Sequence, residues 1–298
     1  MTLPDLYAST PIDLVPAQSL ATFPVNTFLE NLAIAPTGEI YVTSHEAGEV
    51  ITLDREHNLG LYAKLNGKVT GIAMVEDNRF LVNGWNAEGI AFVAILAGGD
   101  VQFLQTLPEA MFLNGITPIA AHHYLMADSY RGAIWSFDLK TQTSSVWLEH
   151  PLLARDDNTN PFPGANGLKR FGDYLYVSNT QQKLLVRIPL NADQTPQAPE
   201  IFVKNTNLDD FAFDIHGNLY GTTHVYNSVV RIDRDRSTTI IAQADQGVTG
   251  CTAVAFYGTG LYVINNGGMS YPPPGGVEPA QIVRLEVGVE GAALLSAD

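Results

Sequence analysis

Glu30-Asn-Leu-Ala-Ile-Ala-Pro-Thr-Gly38, then Glu39-Ile-Tyr-Val-Thr-Ser44, then Gly48-Glu-Val-Ile-Thr-Leu-Asp54, sets the architecture of the whole chain. It reads as a short apolar strand, a Pro/Gly turn, a Tyr/Val-rich strand, a polar loop and a third, alternating strand. The same unit returns as Asp209-Asp-Phe-Ala-Phe-Asp-Ile-His-Gly217, Asn218-Leu-Tyr-Gly-Thr-Thr223 and Asn227-Ser-Val-Val-Arg-Ile-Asp233. A further copy runs through Asn114-Gly-Ile-Thr-Pro-Ile-Ala-Ala-His122, His123-Tyr-Leu-Met-Ala-Asp128 and Gly132-Ala-Ile-Trp-Ser-Phe-Asp138. Val186-Arg187-Ile188, Val230-Arg231-Ile232 and Val283-Arg284-Leu285 recur at the same place in the third strands of copies four, five and six.

A polar or small residue opens each copy: Glu30, Thr70, Asn114, Asn166, Asp209 and Gly250, spaced by 40, 44, 52, 43 and 41 residues. That period belongs to propeller blades. A fourth strand follows most copies, at 60–65, 101–107, 144–149, 200–204 and 238–242. The sixth copy lacks one after Leu285, while the segment 17–23 stands unused before the first copy. The fold predicted is therefore an all-β, six-bladed β-propeller with four-stranded blades, its ring closed by an N-terminal strand that completes the last blade. No segment sustains a 3.6-residue apolar period, so no helix is expected. With no linker-like stretch, residues 1–298 are read as one domain.

The balance of charge narrows the partners. A formal net charge of −15 leaves little to neutralise phosphates, which argues against nucleic acid and against docking on anionic membranes. The first 14 residues have no basic start followed by an apolar run, and no stretch reaches transmembrane length. Cys251 is the single cysteine, so an internal disulfide is excluded and a cytoplasmic location is expected. The expected partner is a small molecule met by a monomer.

In an up-and-down blade the start of the first strand and the end of the second share one face. That face collects Ser44-His45-Glu46, Asn83-Gly84-Trp85, Asp128-Ser129-Tyr130, Ser178-Asn179-Thr180, Thr223-His224-Val225-Tyr226 and Asn265-Asn266. The opposite turns are plain connectors, an asymmetry that predicts a ligand-binding mouth. Glu30, Asn114, Asn166 and Asp209 converge there as two carboxylates and two amide carbonyls, an oxygen-only set suited to Ca²⁺. Asp210 takes the place of Asp209 if the strand register slips by one. His45 and His224 end equivalent strands and are candidate proton carriers, or structural histidines bonded to loop carbonyls. Trp85, Tyr130 and Tyr226 are candidates for an apolar wall, with Asn114, Asp128 and Asn179 as polar contacts to substrate. The links 150–165 and 267–278 lie on the same face as rims. Asp156-Asp157-Asn158-Thr159-Asn160 reads as a solvated turn, since Pro161 stands where a calcium loop needs glycine. Cys251 has no triad partner and reads as an inner-strand filler. Glycine-rich phosphate loops, His-Glu-x-x-His and Gly-x-Ser-x-Gly are absent from the sequence.

With Glu, Asn, Asn and Asp opening copies one, three, four and five, the chain resembles the SMP-30/gluconolactonase group, the calcium-dependent phosphotriesterase superfamily. Asn166-Gly167-Leu168 is the nearest local match. The resemblance covers roughly 17–285 and implies a six-bladed propeller with calcium at its mouth, held by Glu30, Asn166 and Asp209. Asn114 is then a fourth ligand or a substrate contact. It also implies hydrolysis of a lactone, ester or phosphotriester. In that chemistry Asp209 is expected to act as base or nucleophile while ligating, Asn114 and Asn166 to orient the substrate, and His45 or His224 to relay protons. The sequence departs from the group's pattern in three places. Asn31-Leu32 follows the glutamate where Gly-Pro is usual, and Asp210 follows the aspartate where glycine is usual. Phe112-Leu113 fills the stretch where sugar-lactone members carry an arginine. The competing reading is a non-catalytic or strictosidine-synthase-like propeller that binds a small molecule or a partner.

Overall fold

The computed structural model describes residues 3–76 and 78–293. Six four-stranded antiparallel sheets form the blades, spanning 29–64, 67–107, 113–149, 165–204, 211–243 and 251–286. The sixth sheet takes its outer strand from Ala17–Val25, which pairs antiparallel with Pro279–Glu286 from Ala17 opposite Leu285 to Val25 opposite Pro279. This is the closure expected from the sequence. The inner strand of each blade touches the inner strands of both neighbours, so the ring is complete. Only two single-turn 3₁₀ helices interrupt the β structure among the described residues, His224–Tyr226 and Ala244–Gln246.

Six apolar cores hold the ring, one in each gap between adjacent blades. Between blades 2 and 3, for example, Leu81, Val93 and Ile95 pack against Leu113, Tyr124 and Phe137. Between blades 6 and 1, Ile264 and Ile282 meet Leu29, Val42 and Leu53. The alternation of each strand explains this, because the two faces of a twisted blade serve two different cores. Outer strands are largely exposed, as in Leu59–Lys64, whereas inner and second strands are buried throughout much of their length.

The N-terminal segment adds a contact that no repeat pattern announces. Before reaching blade 6 it runs beside the outer strand of blade 5. There Asp13 N–H and Val15 N–H donate to the carbonyls of Ile240 and Ile241, and Ile240 N–H donates to Pro11. It thereby covers a sheet edge as well as closing the ring.

Candidate functional site

The mouth of the tunnel is built by irregular pairing. The ladder between first and second strands slips at Leu29/Asn31, Val69/Ile72, Leu113/Ile116, Ala165/Leu168 and Cys251/Ala253. Each slip is a β-bulge, which turns a side chain out of the ordinary pleat. In blade 5 the pinch is formed by Asp209 N–H donating to Thr222 and Thr222 N–H donating to Asp210. The equivalent residues are therefore Glu30, Thr70, Asn114, Asn166, Asp209 and Thr252. Gly250 is corrected to Thr252, and the last two spacings become 43 and 43. Sequence alone could not find a bulge two residues into the copy, because glycine at 250 imitates an opening turn.

The carbonyls at these bulges are tied to the preceding blade. Thr43 Oγ1 donates to the Thr70 carbonyl at 2.8 Å, Asn83 Nδ2 to Asn114 at 2.9 Å, Ser178 Oγ to Asp209 at 2.8 Å and Thr222 Oγ1 to Thr252 at 2.9 Å. The inner strands approach so closely that a Cβ on Gly115 would sit 2.7 Å from the Asn166 carbonyl oxygen. A Cβ on Gly167 would sit 2.7 Å from the Asp209 carbonyl oxygen. Main chain thus fastens the ring and leaves the opener side chains for the mouth.

Glu30, Asn114, Asn166 and Asp209 are all buried. Asn166 Nδ2 donates to Asp209 Oδ1 at 2.5 Å and to Thr180 Oγ1 at 3.0 Å, which turns its carbonyl oxygen away from both. His224 Nδ1 lies 2.9 Å from Asp209 Oδ2. Its Nε2 lies 3.0 Å from Asn266 Nδ2, and Asn266 Oδ1 accepts from the N–H groups of Gly268 and Met269. That network orients the Asn266 amide as donor, so His224 is assigned neutral with its proton on Nδ1 facing Asp209. His224 holds this position at φ 43°, a left-handed conformation rare for a residue with a side chain. Asp210 turns away to Lys169, whose Nζ lies 2.6 Å from its Oδ1 in a buried pair. The register question is settled by the bulge equivalence: Asp209 is the opener and Asp210 is not.

The donor set suits a hard cation. No protein donor among the described residues binds the Glu30 carboxylate or the side-chain oxygens of Asn114 and Asn166, and each Asp209 oxygen keeps a lone pair after one accepted bond. Burial, and then the charges of Asp209 and Asp210, push the Glu30 carboxyl well above the usual carboxylate range. Two buried carboxylates stay ionised together cheaply only beside a counter-charge. Among the described residues no three His, Cys, Asp or Glu side chains gather as a metal cluster. A cation here would therefore need the asparagine carbonyls as well as Glu30 and Asp209, the mixed oxygen shell that Ca²⁺ accepts.

An aromatic arc starts beside the acidic cluster, where the Phe28 ring lies 6.5 Å from that of His224. Phe28 meets His45 edge-on at 5.5 Å between ring centroids, and His45 meets Trp85 at 5.6 Å. Trp85 meets Phe112 at 4.5 Å, and Phe112 meets Tyr130 at 4.7 Å. Phe28 and Phe112 were not anticipated, although each stands two residues before its opener, Glu30 and Asn114, a signal present in the repeats. His45 Nδ1 donates to the Val69 carbonyl at 3.0 Å, and burial outweighs this bond in lowering its pKa. A histidine held neutral in the fold takes up its proton first in the unfolded chain. Its stabilisation is complete above about pH 6.5 and declines as the pH falls from there toward the lowered folded value. His45→Gln is accordingly expected to lessen the drop in unfolding midpoint between pH 7.5 and 5, read by thermal melts. An unchanged slope would remove His45 from the acid response.

Three of the expected substrate contacts lie elsewhere. Asp128 is fully buried and its carboxylate accepts from the N–H groups of Met111, Phe112 and Arg131 and from Trp135 Nε1. Asn179 donates to the carbonyls of Leu152 and Ala154 and accepts from Gln182 N–H, so it clasps the long link between blades 3 and 4. Tyr226 donates its hydroxyl to the Pro4 carbonyl and packs edge-on against Tyr7 at 5.2 Å. It lines a cavity of about 70 Å³ beneath the N-terminal segment, with Asn160, Phe162 and Val225 among its walls. The reason is common to all three: a polar loop residue satisfies backbone groups as readily as a ligand, and alternation does not distinguish them. The 156–160 segment is a turn closed by Thr159 donating to Asp157, as its proline indicates. Cys251 is buried against the Ser228 carbonyl, and burial lifts its thiol to about 12.

Among the described residues no helix is long and apolar enough to cross a membrane. No protein-family sequence profile matches the chain, and no curated protein matches it by sequence. Solved structures do match in shape. A luciferin-regenerating enzyme aligns with a TM-score of 0.74 at 14% identity, over 95% of this chain and 99% of its own. A calcium-binding regucalcin from Agrobacterium tumefaciens aligns with a TM-score of 0.72 at 15% identity, over 97% and 99%. A gluconolactonase from Xanthomonas campestris aligns with a TM-score of 0.68 at 13% identity, over 95% and 93%. At these identities the likeness is one of fold.

Proposed function

We propose that this SMP-30/gluconolactonase-like propeller is a calcium-dependent hydrolase of a lactone, ester or phosphotriester, acting at the mouth of its tunnel. The observation that carries the reading is the Asn166–Asp209–His224 arrangement beside Glu30 and Asn114. A base whose two oxygens are each aimed by a neighbour stands next to oxygens that no donor among the described residues uses. The likeness in fold to proteins named regucalcin and gluconolactonase supports the same reading by analogy.

Glu30, Asn166 and Asp209 would hold the ion, with Asn114 completing the shell or meeting the substrate. Bound calcium supplies polarisation of the carbonyl or phosphoryl oxygen under attack. Asp209 takes a proton from water as the water oxygen bonds to the carbonyl carbon. The ester C–O bond then breaks and the proton passes to the departing alkoxide oxygen. His224 donates from Nδ1 to Asp209 and keeps the carboxylate aimed. Its Nε2 is engaged by Asn266, so it acts as a positioning residue and not as the relay expected from sequence. His45 joins the wall with Trp85 and Tyr130, its Nδ1 spent on the Val69 carbonyl.

A panel of small lactones, aryl esters and phosphotriesters tests this. Protein stripped with EDTA is expected to lose turnover and to regain it on adding Ca²⁺, with a parallel rise in unfolding midpoint. A ligand at a hundred times its Kd stabilises the native state by about 2.7 kcal/mol. Turnover indifferent to EDTA would sink the metal reading. Calcium stabilisation with no turnover on the panel would favour the binding protein instead.

A further inference from the structure

Arg155 closes the aromatic arc at its far end. Its guanidinium carbon lies 4.0 Å above the Tyr130 ring, and Tyr130 in turn packs against Phe112. Its Nε is buried yet meets no acceptor, and no carboxylate among the described residues forms an ion pair with it. Asp157, two residues along, spends its Oδ1 on Thr159, and its carboxyl is held below the usual range first by those bonds and only last by the charge of Arg155, without an ion-pair contact. Neighbouring cations are occupied: Arg131 faces Glu149 and Glu109, and Lys68 faces Glu46. A desolvated guanidinium nitrogen left without an acceptor is costly. Nε itself is shielded, so a planar bidentate anion would meet the outer Nη nitrogens, which form no ion pair among the described residues.

From these observations we propose that the mouth takes a flat aromatic compound bearing an anionic group. Its ring lies on Trp85, Phe112 and Tyr130, and its carboxylate or equivalent oxyanion reaches Arg155. The proposal rests on the hydrolase reading only for what happens next, namely that the bond cleaved is a separate ester or lactone carried by the same compound, its anionic group staying intact on Arg155. Aromatic faces recognise planar ligands through offset and edge contacts, and these rings are already arranged edge-to-face or tilted along the arc. Arg155 thus supplies, from the link between blades 3 and 4, the cation that the Phe112-Leu113 stretch lacks.

Binding without turnover tests it. The probes are coumarin-3-carboxylate and neutral coumarin, titrated into the whole protein by calorimetry, once with Ca²⁺ and once with EDTA. The carboxylate is expected to bind at least about tenfold more tightly than coumarin, in EDTA as well as in calcium, since a charge-assisted pair is worth that much. Arg155→Gln is expected to erase the preference without shifting the unfolding midpoint. Phe112→Leu is expected to weaken both probes together. Equal affinity of the two probes for the wild-type protein, no saturable binding, or a preference present in calcium and lost in EDTA would each overturn the assignment to Arg155. The EDTA arm separates this failure from failure of the hydrolase reading, because the probes are themselves lactones and only with the ion removed is affinity measured where no bond is broken.

Discussion

Asp209→Asn is expected to lower hydrolysis by about 10²–10⁴-fold, the usual contribution of a positioned general base. The amide keeps the shape of the carboxylate but cannot accept a proton, so kcat falls while the fold persists. Asn166 Nδ2 and His224 Nδ1 then face an amide in place of two carboxylate oxygens. One of those contacts must loosen, because an amide nitrogen has no lone pair to offer. The measurement is steady-state turnover of whichever panel member the wild-type protein cleaves, beside a thermal melt of the variant. A variant keeping a tenth or more of the rate with a normal melt would show that the proton leaves by another route. Loss of rate accompanied by collapse of the melt would call for Asp209→Glu, which keeps the charge and shifts the base by one methylene. Recovery of the melt without the rate would restore the assignment.

Asp128→Ala is expected to destabilise the protein by about 3 kcal/mol or more, because it strands four donors that share one buried carboxylate. At roughly 2–4 °C per kcal/mol for chains of this size, the unfolding midpoint should fall by about 6–12 °C. The effect reaches the mouth as well. Met111 and Phe112 owe their backbone positions to Asp128, and Phe112 carries the middle of the aromatic arc. Had Asp128 touched substrate, its loss would raise KM and leave the melt unchanged. A midpoint shift below about 2 °C would therefore restore it to the binding surface.

The architecture was legible because propeller blades repeat, and repetition averages out the ambiguity of any single strand. Copies such as Glu30 to Asp54 and Asp209 to Asp233 agree in turn placement and strand alternation. The missing fourth strand after Leu285 had an obvious donor in Ala17–Val25. Five of the six openers were legible for the same reason, since a buried polar residue at a fixed place in an apolar strand contradicts the local pattern. Thr252 was not, because its bulge lies inside a strand whose glycine neighbour looks like the start.

What the amino-acid order determined by itself was the number of blades, the route of closure and the gathering of oxygen-bearing residues at one mouth. All three follow from periodicity, and periodicity is local chemistry repeated. Which polar groups remain free at that mouth was decided only by tertiary structure. Asp128 and Asn179 are consumed by loop backbones, Asp210 by Lys169, and His224 by Asp209 and Asn266. A side chain's partners come from blades some 40 residues apart, and each donor or acceptor satisfied in one contact is withdrawn from every other. That competition is settled in space, so the oxygens around Glu30 that no donor among the described residues takes, and the Arg155 Nε without an acceptor, emerge only when the ring is closed.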